Sequence, residues 1–313
     1  MKYNPFINNS PPVSEIGLGA WQLGENTGWE SLSEKDAIEL VKKSVDLGVN
    51  FFDTAPNYGL GTSEIRLGKA LKGTERESIV INTKFGHNAS GELNYSSDVI
   101  RESLEGSLLR LQVEYVDSFI IHSPPFEILD GNKNDHYEIL ERLKDEGKIR
   151  AYGASVDTPE EMKLFMNTTS GKVIEAFFNI LHQETASAFP LAKENGVKVI
   201  AKIPLDSGWL SGKYNEESTF DDIRERWSRE DIQTRAKLVR QLKELMGEER
   251  DLAKTAIAFC GAYDAVATVI PGNKNISQLK NNVESVNQPL PDELVLKLEK
   301  FYQDEVKNLN LPW

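Results

Sequence analysis

The sequence predicts an α/β fold, a (β/α)8 TIM barrel with an N-terminal hairpin and long loops at its mouth, and three observations carry that prediction. Short apolar runs rich in β-branched residues alternate with longer amphipathic, charge-rich segments, the pattern of repeated βα units. Eight such runs follow one another along the chain. No Ser/Gly-rich linker divides the 313 residues, a length that a barrel accommodates as one unit, so residues 1–313 are expected to form a single domain.

Residues 1–14 precede the repeats and contain Asn8-Asn9-Ser10-Pro11-Pro12, a cluster of turn formers expected to make a hairpin that plugs the barrel bottom. Strands are expected at 15–18, 49–53, 79–84, 118–122, 150–155, 173–178, 197–202 and 267–271. Each is nearly all apolar, as required when helices cover one face and a closed core the other. Helices are expected at 33–47, with Ser33 as N-cap and Gly48 as the stop, and at 62–71, 97–111, 135–146, 158–166 and 185–195. After the seventh strand, residues 203–235 form a long insertion with three glycine or proline breaks and then an alternating charge run, the character of a lid.

A doubly wound open sheet is the competing architecture. It would announce a nicotinamide cofactor with G-x-G-x-x-G between strand and helix. Neither Gly17-Leu18-Gly19-Ala20-Trp21-Gln22 nor Gly59-Leu60-Gly61-Thr62-Ser63-Glu64 completes that fingerprint, so a dinucleotide here is held in another way.

With 39% hydrophobic and 27% charged residues the chain is expected to bury a substantial core. Its net charge of −13 repels polyanions, which argues against nucleic acid and anionic membranes as partners. A small anionic ligand would need a local cluster of cations. Cys260 is the only cysteine and lies in an apolar run, so it is expected to be a small core residue. No secretory h-region opens the chain and no apolar stretch approaches the ~18 residues of a membrane span, so a cytoplasmic location is expected.

Barrel enzymes work where strands end and βα loops begin. Asp53 ends Val49-Asn50-Phe51-Phe52-Asp53, Lys84 ends Ile79-Val80-Ile81-Asn82-Thr83-Lys84, and His122 ends Phe119-Ile120-Ile121-His122. Taken singly these are a cap, a rim lysine and a core histidine. An acid, an amine and an imidazole ending three consecutive strands at one mouth point to a site instead. Tyr58 follows Asp53 in a loop that Pro56 and Gly59 would tighten over the strand ends. Alone it would be a buried aromatic with one hydrogen bond.

Together the four make a proton-donating centre. A free tyrosine ionises near about pH 10; an ammonium at Lys84 would favour the phenolate, and Asp53 would keep that ammonium charged and oriented. His122 would hydrogen-bond the substrate oxygen. The layout suits carbonyl reduction by an external hydride.

The stretch Asp53-Thr54-Ala55-Pro56-Asn57-Tyr58-Gly59 with Ser63-Glu64, Leu67-Gly68-Lys69-Ala70-Leu71 and Thr83-Lys84-Phe85-Gly86 resembles the signature of the aldo-keto reductases. Ile120-Ile121-His122-Ser123-Pro124, Gly147-Lys148-Ile149-Arg150 and Leu210-Ser211-Gly212-Lys213-Tyr214 extend the resemblance over nearly the whole chain. It implies a barrel that binds NADPH in extended form across the mouth without a Rossmann motif. It also implies an NADP-dependent reductase of small-molecule aldehydes or ketones, with Tyr58 as general acid, Lys84 and Asp53 tuning it, and His122 orienting the carbonyl.

The same resemblance implies the cofactor contacts. Ala20, Trp21 and Asp53 border the nicotinamide, and Ser155 meets its carboxamide. Pro204, Leu205, Ser207, Gly208 and Lys213 clasp the pyrophosphate, with Lys213 as the cation that the acidic chain requires. Gly272, Lys274, Gln278, Asn281 and Asn282 hold the adenosine and its 2′-phosphate, aided by the N–H groups of a helix starting near Ile276. Four positions depart from the pattern: Val156 replaces an asparagine, Glu175 a glutamine, Lys202 an aromatic ring and Lys274 an arginine. Lysine offers charge without the bidentate fork. His87, His136 and His182 show no metal-ligand spacing and are expected at the surface or in packing; no metal is assigned. Trp21, Trp209 and Trp227 either wall the substrate pocket or pack the lid. For Trp313, neither a pocket-covering nor a free-tail role is favoured.

Two other functions compete. One branch of the resembled family serves as an NADPH-binding, redox-sensing auxiliary subunit of potassium channels; its members tend to lack the histidine found here at 122. A sugar-phosphate lyase or isomerase would use Lys84 as a Schiff-base nucleophile, and the cofactor-like segment around Lys274 argues against it.

Overall fold

Runs rich in Val, Ile and Phe become parallel strands in the computed structural model, which describes residues 1–247, 249–288, 290–309, 311 and 312. A short antiparallel pair, β1 (Tyr3–Asn4) and β2 (Val13–Ser14), precedes eight barrel strands. These are β3 (Leu18–Gly19), β4 (Phe51–Asp53), β5 (Val80–Phe85), β6 (Val116–His122), β7 (Ile149–Val156), β8 (Val173–Phe177), β9 (Lys198–Lys202) and β10 (Val266–Ile270). They pair in chain order, all parallel. The ring closes where Gly17 N donates to Val269 O at 2.8 Å and Val269 N to Glu15 O at 3.0 Å. The first strand is thus shorter than the expected 15–18, with Ile16 joined to β10 only by an isolated bridge.

The helices are α1 (Glu34–Asp46), α2 (Thr62–Leu71), α3 (Ile100–Leu111), α4 (His136–Asp145), α5 (Pro159–Thr168), α6 (Phe189–Glu194), α7 (Arg229–Met246), α8 (Leu252–Cys260), α9 (Ile276–Val283) and α10 (Asp292–Phe301). Ser33 caps α1 by accepting from Asp36 N, and Thr158 and Glu161 form a capping box on α5. The insertion ends earlier than residue 235. Ser228 and Asp231 form a second capping box, and Ile232, Ala236 and Val239 bury one face, so α7 begins at Arg229.

Alternate strand residues face opposite sides of the sheet. At the bottom, Phe51, Val80, Ile120, Ala151, Val173, Ile200 and Ala267 point inward and meet Phe6, Ile7 and Val13 of the hairpin, with the Phe6 and Phe51 rings edge to face at 5.5 Å. The hairpin is the plug that the sequence predicts. The intervening residues, such as Phe52, Ile81, Phe119 and Ile174, pack outward on Leu40, Leu67, Leu104 and Leu140 of the helices. Stepping by two toward the mouth, the inward positions turn polar: Asp53, Asn82, Lys84, His122, Ser155, Glu175 and Lys202; Ser118, one step before Ile120, is polar as well. The register aligns Asp53 with Asn82, Asn82 with Ser118, and His122 with Ser155 and Glu175.

Candidate active site at the barrel mouth

β4 delivers Asp53 and β5 delivers Lys84 to the same inner layer. Lys84 Nζ is sealed from solvent and donates to Asp53 Oδ1 at 2.6 Å, Thr54 O at 3.0 Å and Tyr58 OH at 3.4 Å, and lies 3.2 Å from Glu175 Oε2. A buried ammonium persists only with such compensation. Asn82 Nδ2 donates to Asp53 Oδ1 at 2.7 Å, and Asn82 Oδ1 accepts from Ser118 Oγ at 2.5 Å.

Tyr58 reaches this layer from the loop after β4. The loop folds back because Tyr58 N donates to Ala55 O at 3.2 Å and Ser63 N to Tyr58 O at 3.2 Å. Gly59 makes the reversal with φ of +61°, and a Cβ there would lie 2.3 Å from Glu25 N. Ser63 Oγ bonds Ala20 O at 2.7 Å, while Glu64 accepts from Thr83 Oγ1 at 2.7 Å and Arg110 Nε at 2.6 Å. The Ser63-Glu64 pair of the motif therefore ties α2 to the sheet beneath the tyrosine.

Burial, reinforced by Glu175, pushes the Asp53 carboxyl up to about 7 against the pull of Lys84. Burial draws Lys84 down, but Asp53, Glu175 and Tyr58 outweigh it, so the amine stays charged well beyond its ordinary range. The Tyr58 phenol moves up, not down as expected. Lys84 does favour the phenolate, but desolvation of the hydroxyl end exceeds that pull. Tyr58 consequently rests as a protonated phenol.

Burial, then Lys84, His87 and Lys202, hold the His122 imidazole well below its ordinary value, so it is neutral. Its Nδ1 is buried without a partner. A stranded lone pair costs less than a stranded N–H, which assigns the proton to Nε2. The His122 ring meets Tyr58 edge to face at 5.8 Å and stacks on His87 at 4.3 Å. Trp21 stacks on Tyr58 at 5.9 Å, and Trp29 meets Trp21 edge to face at 5.9 Å.

The predicted cofactor residues divide into groups. Ser155 Oγ donates to Glu175 Oε1 at 3.1 Å and accepts from Lys202 Nζ at 3.0 Å, and Lys202 pairs with Asp157 at 2.8 Å. Two departures from the family pattern, Glu175 and Lys202, are therefore coupled through one hydroxyl in an unbroken chain from Asp157 to Asp53. Ala20 contributes backbone, its N donating to Asp53 O at 2.8 Å. Pro204, Leu205, Ser207 and Gly208 lie in a tight turn in which Asp206, Ser207 and Gly208 all have positive φ. Buried Asp206 anchors that turn, 3.1 Å from Arg235 Nε and 3.5 Å from His182 Nε2. Lys213 is exposed just beyond it.

The segment expected to hold the adenosine is in part braced on itself. Gln278 Oε1 accepts from Lys274 N at 2.9 Å, and Asn282 is buried with its Nδ2 on Asn273 Oδ1 at 2.8 Å, so both side chains brace the segment itself. Asn281 is half-buried on α9, which begins at Ile276 as expected. Gly272 lies against Gln22, whose Nε2 would be 2.5 Å from a Cβ there. Lys274 Nζ lies 5.4 Å above the Trp29 ring.

The insertion crosses to the first loop. Ile223 N donates to Gly28 O at 2.9 Å, and the Arg224 guanidinium lies 5.1 Å from the Trp29 ring while bonding Asp222 at 2.8 Å and Tyr214. Trp209 and Trp227 are buried with Phe220 inside this strap, so they pack the lid and do not wall the pocket. Trp313 lies outside the described residues. Hollows of about 670 and 500 Å³ lie elsewhere, beside Tyr137 and beside Arg76, and contain none of these residues.

Sequence reading missed Asn82, Asp157, His87 and Trp29. Asn82 and Asp157 lie two residues from Lys84 and Ser155, so strand alternation would have found them. His87 and Trp29 sit on loops, where no periodicity operates. His136, expected at the surface or in packing, is buried with Nε2 2.6 Å from Tyr95 O. Among the described residues, no group of three or more His, Cys, Asp or Glu side chains is arranged to hold a metal, and no helix is long and apolar enough to cross a membrane.

A model of the Aldo/keto reductase family matches residues 15–303. Aldo-keto reductase YhdN of Bacillus subtilis (strain 168) is 34% identical over 232 residues, covering 72% of this chain and 69% of its own length. A protein of Escherichia coli (strain K12) named NADH-specific methylglyoxal reductase is 28% identical over 314 residues, covering 93% of this chain and 95% of its own. The holo form of aldo-keto reductase AKR11C1 from Bacillus halodurans shares the fold with a TM-score of 0.82 at 30% identity, covering 99% of this chain and all of that one. A closed parallel barrel, an acid, amine and phenol joined at its mouth, and a family match over most of the length together mean that the chain belongs to the aldo/keto reductase family, oxidoreductases that use nicotinamide cofactors.

Proposed function

We propose that this protein reduces small aldehydes or ketones to alcohols with NADPH, Tyr58 acting as general acid. The observation that carries this reading is the buried contact of Lys84 with Asp53 and the Tyr58 hydroxyl, with His122 beside it. The nicotinamide supplies the hydride when bound. His122 Nε2–H orients the carbonyl oxygen, and Tyr58 gives its proton to that oxygen as charge develops. The Lys84 ammonium, fixed by Asp53, stabilises the phenolate left behind. An alkoxide is a stronger base than a phenolate, so the upward shift of Tyr58 keeps the proton on hand without blocking its transfer.

The residues present fit such a cofactor. Lys213 beyond the 203–208 turn and Lys274 beside Trp29 supply cations that the net charge of −13 otherwise denies an anionic ligand, and they support a preference for NADPH. One relative is named for NADH specificity, so parallel kcat/KM measurements with both cofactors form part of the test. We take residues 1–313 as one catalytic unit and the cytoplasm as its location.

Tyr58→Phe should lower kcat by about 10²–10⁴-fold on an aldehyde panel while NADPH binding, read by quenching of tryptophan emission, changes little. Unchanged turnover overturns the mechanism. Tight NADPH binding with no turnover by the unaltered protein would favour a redox-sensing auxiliary subunit.

A further inference from the structure

His87 takes no part in the chemistry described above, yet its ring lies in the mouth. The chain turns at Gly86, Asn94 N donates to Gly86 O at 2.8 Å, and Tyr95 returns beneath the histidine. Tyr95 OH lies 2.7 Å from His122 O, 2.9 Å from Ser123 O and 2.8 Å from His87 Nε2. A phenol has one proton. Both carbonyls can only accept it, so the hydroxyl must accept from His87, which puts the His87 proton on Nε2. His87 Nδ1 is then a lone pair. It makes no hydrogen bond among the described residues, and unlike His122 Nδ1 it is not sealed from solvent.

Burial, then Lys202 and Lys84, hold His87 below its ordinary value, so the ring is neutral and the acceptor persists. The stack on His122, with centroids 4.3 Å apart, holds the ring at the mouth. Its partner in the stack, His122, presents a donor. With the ring centroids 4.3 Å apart, the stack brings a donor-bearing imidazole against an acceptor-bearing one, a ring separation that oxygens on adjacent carbons span with hydrogen bonds of about 2.8 Å each.

We propose that His87 is a specificity-determining residue that accepts a hydrogen bond from a hydroxyl adjacent to the reacting carbonyl, so that the preferred substrates are 2-hydroxyaldehydes and 2-hydroxyketones. This rests on the reductase reading above. The carbonyl oxygen accepts a hydrogen bond from His122 and the proton of Tyr58, and the neighbouring hydroxyl donates to His87 Nδ1. Tyr95 is a positioning residue that fixes the tautomer.

The test compares kcat/KM for 2-hydroxypropanal, 3-hydroxypropanal and propanal with NADPH. The unaltered protein should favour 2-hydroxypropanal over the other two by about tenfold, the worth of one good hydrogen bond. His87→Phe keeps a flat ring on His122 and should bring the ratio near one. His87→Asn, whose amide oxygen can stand near the Nδ1 position, should retain part of the preference. Equal loss on all three aldehydes in both variants would make His87 merely structural and overturn the proposal. So would turnover by the unaltered protein with no preference. Absence of turnover on every carbonyl would remove the reductase reading as well, which distinguishes the two failures.

Discussion

Lys84 balances two carboxylates, Asp53 at 2.6 Å and Glu175 at 3.2 Å, and that imbalance sets the pH behaviour of the site. Burial and Glu175 raise Asp53 from 3.8 to about 7. A carboxyl raised on folding contributes stability that is complete below its unfolded value and is lost as pH rises through its folded one. The Asp53 contribution therefore fades between about pH 4 and 7. Glu175→Gln removes the like charge and should lower the Asp53 value. We expect the acidic limb of kcat/KM to move to lower pH, and stability measured by urea unfolding to vary less across that window. An unmoved limb would show that Glu175 does not govern Asp53. At this scale the sequence was informative where residues end strands, as with Asp53, Lys84 and His122. It was silent on the direction of the Tyr58 shift, because desolvation depends on everything packed around the hydroxyl.

The elements that position the site are a rigid sheet and a strap laid over it. The strap is tied at one end by Asp206, Arg235 and His182, and at the other by Arg224, which bonds Asp222 and lies against Trp29. Arg224→Ala should free the strap from the first loop. We expect KM for NADPH to rise about tenfold with a smaller change in kcat, the pattern of lost uniform binding. A fall in kcat with KM unchanged would place Arg224 in the chemistry instead. The barrel strands were legible because they are short runs rich in apolar, β-branched residues set between amphipathic helices. The strap was misjudged at its far end, where a capping box inside a charged run starts α7 at Arg229. Its aromatic residues were ambiguous for another reason: Trp209 and Trp227 are packed by residues brought together only by the fold.

Across the whole molecule, one end of the barrel is built for stability and the other for chemistry. Phe6 closes the bottom, 6% exposed and edge-on to Phe51, far from Tyr58 and Lys84. Phe6→Ala should cost about 3–5 kcal/mol of unfolding free energy while kcat per folded molecule stays the same. Denaturation curves and active-site titration check both halves, and an activity loss without destabilisation would contradict this division. By itself the sequence determined the barrel and its plug, and it named Asp53, Lys84 and His122 at the mouth, because these follow from alternation along a strand and from the polar residues near strand ends; Tyr58 came from the loop motif that follows Asp53. Only the tertiary structure decided that Glu175 and Lys202 share Ser155, that His87 stacks on His122 and that Lys274 lies above Trp29. Those pairs are far apart in the chain or lie on loops, and closure of the ring is what brings them within reach of one another.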